Sequence, residues 1–231
     1  MTHRGSLVVM AVALMGLMAA GQTVFGDDDD DRGAHYAVTV TNITRGQTFT
    51  PILVATHKAG VRLFELGQPA SAELATLAEE GMTAPLEALL SGMPGVKDVQ
   101  SSGALLPPGE SVTIMVRTQG TFDRVSLASM LIPTNDGFFA LNGVEGPRGR
   151  AVMTLISPAY DAGSERNDER CMSIPGPFFA ECGGPGGGVM AVGGEEGYVH
   201  IHAGIHGIGD LVAADRDWRN PVARITIQRM R

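Results

Sequence analysis

The chain has little of what most functional classes require. Aromatic residues fill 5% of its 231 positions, with one tryptophan, and charged residues 18%, below the roughly 25% of ordinary soluble proteins. Basic residues are the scarcer sign, 17 against 25 acidic, for a formal charge of −8. That balance excludes a nucleic-acid binder, which needs a basic face against phosphates. No Gly-x-Ser-x-Gly occurs, no Gly-rich phosphate loop ending in Lys-Ser/Thr, and no strand–Gly-x-Gly-x-x-Gly–helix unit. The sequence therefore carries no recognisable catalytic motif. The glycines follow no Gly-X-Y period, which excludes collagen. Long apolar runs are also scarce. The longest, Leu7 to Ala20, has fourteen residues broken only by Gly16, short for a bilayer core of about 30 Å.

His3 and Arg4 precede that run, and Ala19, Ala20 and Gly21 follow it. This order predicts a secretory signal peptide. Cleavage is expected before Gln22 or after Gly26, and residues 1–26 are assigned to the signal. The acidic run Asp27 to Asp31 follows. Like charges at that density repel and stay solvated, so residues 27–35 read as a linker. Loss of Arg4 with the signal gives −9, and setting the five aspartates aside leaves the folded part near −4. No later segment is long and apolar enough for a membrane span. The mature protein is expected to be secreted or periplasmic.

What is present is core material and turns: 44% hydrophobic residues and 31 glycines. Short β-branched and apolar segments fall at 36–40, 49–54, 111–116, 125–132, 138–141, 151–156, 198–201 and 222–227, with turn residues between them. Such spacing predicts an antiparallel sandwich or barrel and not a parallel βαβ sheet. One interval breaks the pattern. Leu74, Leu77 and Ala78 stand at helical spacing after Ser71, a fair N-cap, and Gly81 ends the run. Pro85 opens a second short helix. Gly183 to Gly194 is a glycine-rich loop.

Cys171 and Cys182 are the only cysteines, with ten residues between them. In an exported protein an even pair reads as a disulfide, contributing roughly 3 kcal/mol on the chain-entropy account. A thiolate metal pair is the alternative, weakened by the lack of a nearby histidine.

Two acidic turns stand out. Asp136 lies in the turn after the 125–132 strand, and Asp161 and Glu165 lie in the loop after the 151–156 strand. If these strands alternate in direction, both loops fall at one end of the sandwich. Three carboxylates converging there suit calcium, which takes six to eight oxygens. Aspartate also favours turns through its own backbone hydrogen bonds, with no metal involved.

The segment Leu131-Ile132-Pro133-Thr134-Asn135-Asp136-Gly137-Phe138-Phe139 resembles the Pro-Ser-Pro-Asp-Trp-Phe stretch of the spondin N-terminal domain family, the module of F-spondin and mindin. Tyr160-Asp161-Ala162-Gly163-Ser164-Glu165 is similar to that family's Asp-Ala-Gly-Thr-Asp run, and Pro221 to Ile227 to its final Val-Ala-Arg-Val strand. With Phe49-Thr50-Pro51, the resemblance spans about residues 36–229, within a domain taken as 36–231. It implies an all-β, eight-stranded antiparallel C2-like β-sandwich with short helical insertions. It also implies calcium held by Asp136, Asp161 and Glu165. Two departures are visible: Glu165 stands where the family has Asp, and Gly137 stands at the tryptophan position. The implied role is extracellular binding or adhesion. The ion would order loops 133–138 and 158–168, and the partner would be an unidentified extracellular protein or glycan.

Tyr198-Val199-His200-Ile201-His202-Ala203-Gly204-Ile205-His206 matches no part of that pattern. On a strand, His200 and His202 share a face, half of a transition-metal site, with His206 as a possible third ligand. The His-x-His resembles the cupin motif without its glutamate, and the strand of copper–zinc superoxide dismutases without enough further ligands. Three readings stand: hydrogen bonding to loops, a zinc or copper site, or catalysis. Asp215, Asp217 and Trp218 read as a solvated turn with a packed ring, and Arg224 and Arg229 as surface charges.

Overall fold

A computed structural model describes Met1 and residues 34–230. The expected signal peptide and the acidic run lie outside the described residues. In chain order the elements are β1 (Ala34–Asn42), β2 (Thr48–Phe49), β3 (Leu53–His57), α1 (Ala72–Glu80), α2 (Ala84–Ser91), β4 (Val96–Ser101) and β5 (Ser111–Thr118). Then come β6 (Arg124–Ile132), β7 (Gly137–Glu145), β8 (Val152–Ser157), β9 (Ala159–Asp161), β10 (Phe178–Phe179), β11 (Gly184–Pro185), β12 (His200–Ile201), α3 (Ala213–Arg216) and β13 (Ala223–Met230).

The fold is all-β and antiparallel, as expected. One large sheet has the order β5-β1-β13-β8, the other β12-β9-β7-β6-β3-β4 with β2 also paired to β6, and β10 and β11 form a separate two-stranded sheet. The described residues hold thirteen strand segments, not eight. The 49–54 run splits into β2 and β3. β4 has a polar sequence, Val-Lys-Asp-Val-Gln-Ser, that gave no apolar signal. β9 lies inside the segment read as an acidic loop. Residues 34 and 35, assigned to the linker, belong to β1, where Ala34 pairs with Thr118 and His35 with Met230.

Burial explains why the two sheets read differently. β1 alternates buried and half-buried residues along its length, because one face packs on the opposing sheet and the other meets solvent. β3 and β6 are buried almost continuously. Val54, Leu127 and Phe139 point into the core between the sheets, with Val38, Val40, Ile114 and Val116. Their neighbours Leu53, Ala128 and Phe138 point the other way, into a second core with Leu74, Leu77, Leu86 and Leu90 of the helices. The helices therefore cover the outer face of the central strands.

α1 starts and stops as its sequence predicts. The Ser71 hydroxyl accepts the Leu74 N–H, and Gly81 closes the helix at φ +69°. Among the described residues no helix is long and apolar enough to cross a membrane. Phe139 is fully buried, with its ring centroid 4.3 Å from that of Phe49. Phe139→Ala should cost about 3–5 kcal/mol, seen in urea unfolding as a lower midpoint with little change in slope. Ile156→Ala, at a side chain 62% exposed, should stay within about 0.5 kcal/mol.

Candidate metal site

The two acidic segments meet because β7 pairs with β9. Gly137 lies opposite Asp161, and Asp161 lies opposite His200 on β12. One register row thus runs Gly137–Asp161–His200 across three strands. It brings the acidic loops and the histidine segment, separate features of the sequence, to a single place.

Asp136 is fully buried. Its Oδ2 accepts the N–H groups of Ser164 (2.8 Å) and Glu165 (3.0 Å) and so holds the 161–165 turn. Its Oδ1 has no partner. Burial, then the charge of Asp161, pushes its carboxyl pKa up to about 8, against the pull of those N–H bonds. Asp161 is 1% exposed; its Oδ1 accepts the Gly163 N–H at 2.8 Å and its Oδ2 the Asn167 side-chain amide at 2.7 Å. Gly163 is required there. Its φ is +64°, and a Cβ would come within 2.3 Å of the Tyr198 carbonyl oxygen.

Glu165 does not join them through its side chain. Its Oε1 accepts the Ala191 N–H instead, and burial pushes its pKa up to about 7. Of the three carboxylates expected to hold calcium, Asp136 and Asp161 are buried within reach of each other's charge, and Glu165 meets Asp136 only through its backbone N–H.

The histidines also divide. His200 Nε2 lies 3.5 Å from Asp161 Oδ1, and His202 Nε2 lies 3.9 Å from Asp161 Oδ2. His206 is exposed, and its backbone N–H bonds to Glu169 at 2.6 Å. A further carboxylate, Glu196, reaches within 3.9 Å of His200 Nε2. One ligand atom each from Asp161, Glu196 and His200 lie within 4.8 Å of one another, close enough to share an ion. The His200 Nδ1–H donates to the Ile201 carbonyl at 3.0 Å. In the neutral ring this leaves the lone pair on Nε2, which has no hydrogen-bond partner, the arrangement found where a backbone bond sets a ligand's tautomer.

Glu196 was not legible in the sequence, because four residues before a strand within a glycine-rich loop implies no spatial neighbour. Glu169 gave no signal either, because its partners are distant in the chain. Among the described residues it is the non-glycine residue with positive φ, 55°. Its buried carboxylate accepts the N–H groups of His206 and Ile208, and its own N–H bonds to Asn135 at 3.1 Å. It ties the histidine loop to the Asp136 turn. His57, remote in sequence, is fully buried and bonded to Ser126 and the Lys58 carbonyl. Cys171 and Cys182 form the expected disulfide. Trp218 is packed as expected. Asp217 is more than a solvated turn residue, since its Oδ1 accepts the Ile205 N–H.

Residues 35–148 match the Spondin_N family model. Asp136 lies inside the match; Asp161, Glu196, His200 and His202 lie beyond it. No curated protein matches the chain.

Raised carboxyl pKa values fix the sign of a pH effect. Asp136 and Glu165 hold protons in the folded state above the values of 3.8 and 4.5 expected when unfolded. Their contribution to stability is full below those values and is lost as pH rises through about 7 for Glu165 and about 8 for Asp136. His57 and His202, held below 6.5 chiefly by burial, act oppositely only up to that pH. In EDTA, the melting temperature should therefore fall between pH 6.5 and 8, and Asp136→Asn should flatten the slope. A thermal unfolding series across that range measures both.

Proposed function

Because the chain belongs to the spondin N-terminal domain family through residues 35–148, an extracellular family, we propose that it is an exported binding module. A divalent metal ion on Asp161, Glu196 and His200 would tie its loop end together. The observation that carries this reading is the free Nε2 of His200, facing two carboxylates within 4.8 Å. An imidazole nitrogen beside carboxylates suits zinc, manganese or another first-row metal; calcium selects oxygen. The three ligands come from β9, the segment just before β12 and β12 itself, so one ion would cross-link segments otherwise joined by a few hydrogen bonds. Stability then follows free metal by mass action, about 2.7 kcal/mol at a hundredfold excess over Kd. The ordered loops would present the contact surface for an extracellular protein or glycan, in a binding or adhesive role.

A second reading is supported by a different atom. The partnerless Oδ1 of Asp136, beside Asp161, offers oxygen to calcium, which would order loops 133–138 and 158–168. Thermal unfolding separates the two. EDTA should lower the melting temperature of protein purified without a His tag. On the first reading zinc or manganese restores it, calcium does not, and His200→Ala abolishes the response. Restoration by calcium alone, lost in Asp136→Ala, supports the second. No response to any of these ions overturns both.

A further inference from the structure

We infer that His202 is a positioning residue of this site, a fixed N–H donor set behind Asp161, and that His200 alone of the three histidines supplies a metal ligand. The inference rests on the metal reading above and assigns different roles to two residues that the sequence presents as equivalent.

The two rings are bonded in opposite senses. His200 Nδ1 faces a carbonyl, so it donates and leaves Nε2 with a lone pair. His202 Nδ1 accepts the backbone N–H of Gly204 at 2.9 Å. An amide nitrogen can only donate, so the Nδ1 lone pair is used and a neutral ring carries its proton on Nε2. That Nε2–H is buried and without a partner. It is aimed at Asp161, 3.9 Å from Oδ2, too far for a direct hydrogen bond in the absence of an ion. Coordination by His202 Nε2 would require an imidazolate or the loss of the Gly204 bond. Donation from Nε2–H to Asp161 requires neither, only a closing of the gap as the ion draws the carboxylate into place. Outer donors of this kind orient ligating carboxylates.

The socket around the ring is specific. A Cβ on Gly137 would come within 2.9 Å of His202 Cδ2, so the ring occupies space that any other residue at 137 would contest. Trp218 lies against it with ring centroids 5.0 Å apart. Gly204, which supplies the N–H, sits at φ +99°, where a Cβ would meet Asp217 Oδ1 at 2.3 Å. The His202 side chain is 3% exposed.

The test uses 15N-histidine-labelled protein with long-range proton–nitrogen correlation, before and after saturation with zinc. His202 should show a protonated Nε2 and an unprotonated Nδ1 in both states. His200 Nε2 should move on zinc addition. In parallel, zinc affinity should fall about 10–100-fold in His202→Leu with one zinc still bound. It should recover in large part in His202→Gln, which restores an N–H donor, and be lost in His200→Gln. Loss of the His202 Nε2 proton on zinc addition, with both rings reporting coordination, overturns the inference and leaves the metal site standing. So does a His202→Gln variant as weak as His202→Leu. No movement of either ring with zinc, cobalt or manganese overturns the site itself and this role with it.

Discussion

Two carboxylates, Asp136 and Asp161, are buried near enough for the charge of one to act on the other, and the loop end of the molecule is arranged around that placement. Burying one charge is costly, and a second beside it adds repulsion. The backbone offsets part of the cost. Ser164 and Glu165 aim their N–H groups at Asp136, and Gly163 and Asn167 serve Asp161. The remainder is expressed in the Asp136 carboxyl, which holds its proton up to about 8. A proton or a cation can each relieve the pair. The loops are thus shaped by an electrostatic demand that local hydrogen bonds only partly meet.

The histidine segment answers the same demand from the next strand. Cross-strand register sets His200 opposite Asp161, and the hydrogen bond from the His202 N–H to the Ala159 carbonyl extends that pairing by one residue. Gly137 and the histidine run, far apart in the sequence, are in contact in the structure. The space that a side chain at 137 would need is taken by Thr134 and the His202 ring together. Glu169, held at positive φ, then ties the loop after His202 to Asn135, next to Asp136.

Much of the frame was legible because its signals are local. Period-two alternation located β1 and β5, and β-branched runs located β6, β8 and β13. Ser71, Gly81 and Pro85 bounded the helices through capping chemistry that acts within one turn. β4 and β9 escaped because strands of polar or very short sequence are made by their neighbours: β4 by β3, β9 by β7 and β12. The meeting of the Asp136 and Asp161 turns at one end was legible from the alternation of the strands. The direction of the Glu165 side chain was not, because it depends on the distant Ala191 N–H.

By itself the sequence determined an antiparallel β domain, two short helices, a cysteine pair and three groups of metal-binding residue types. Each rests on contacts between residues near in the chain or on composition alone. Only the tertiary structure decided that the acidic loops and the histidine segment lie together, that Glu196 comes near His200, and that the His200 and His202 rings are bonded in opposite senses. Those outcomes depend on strand register and on which backbone group each imidazole nitrogen meets. Both are set by pairing between segments far apart in the chain, and spacing along the chain does not encode them.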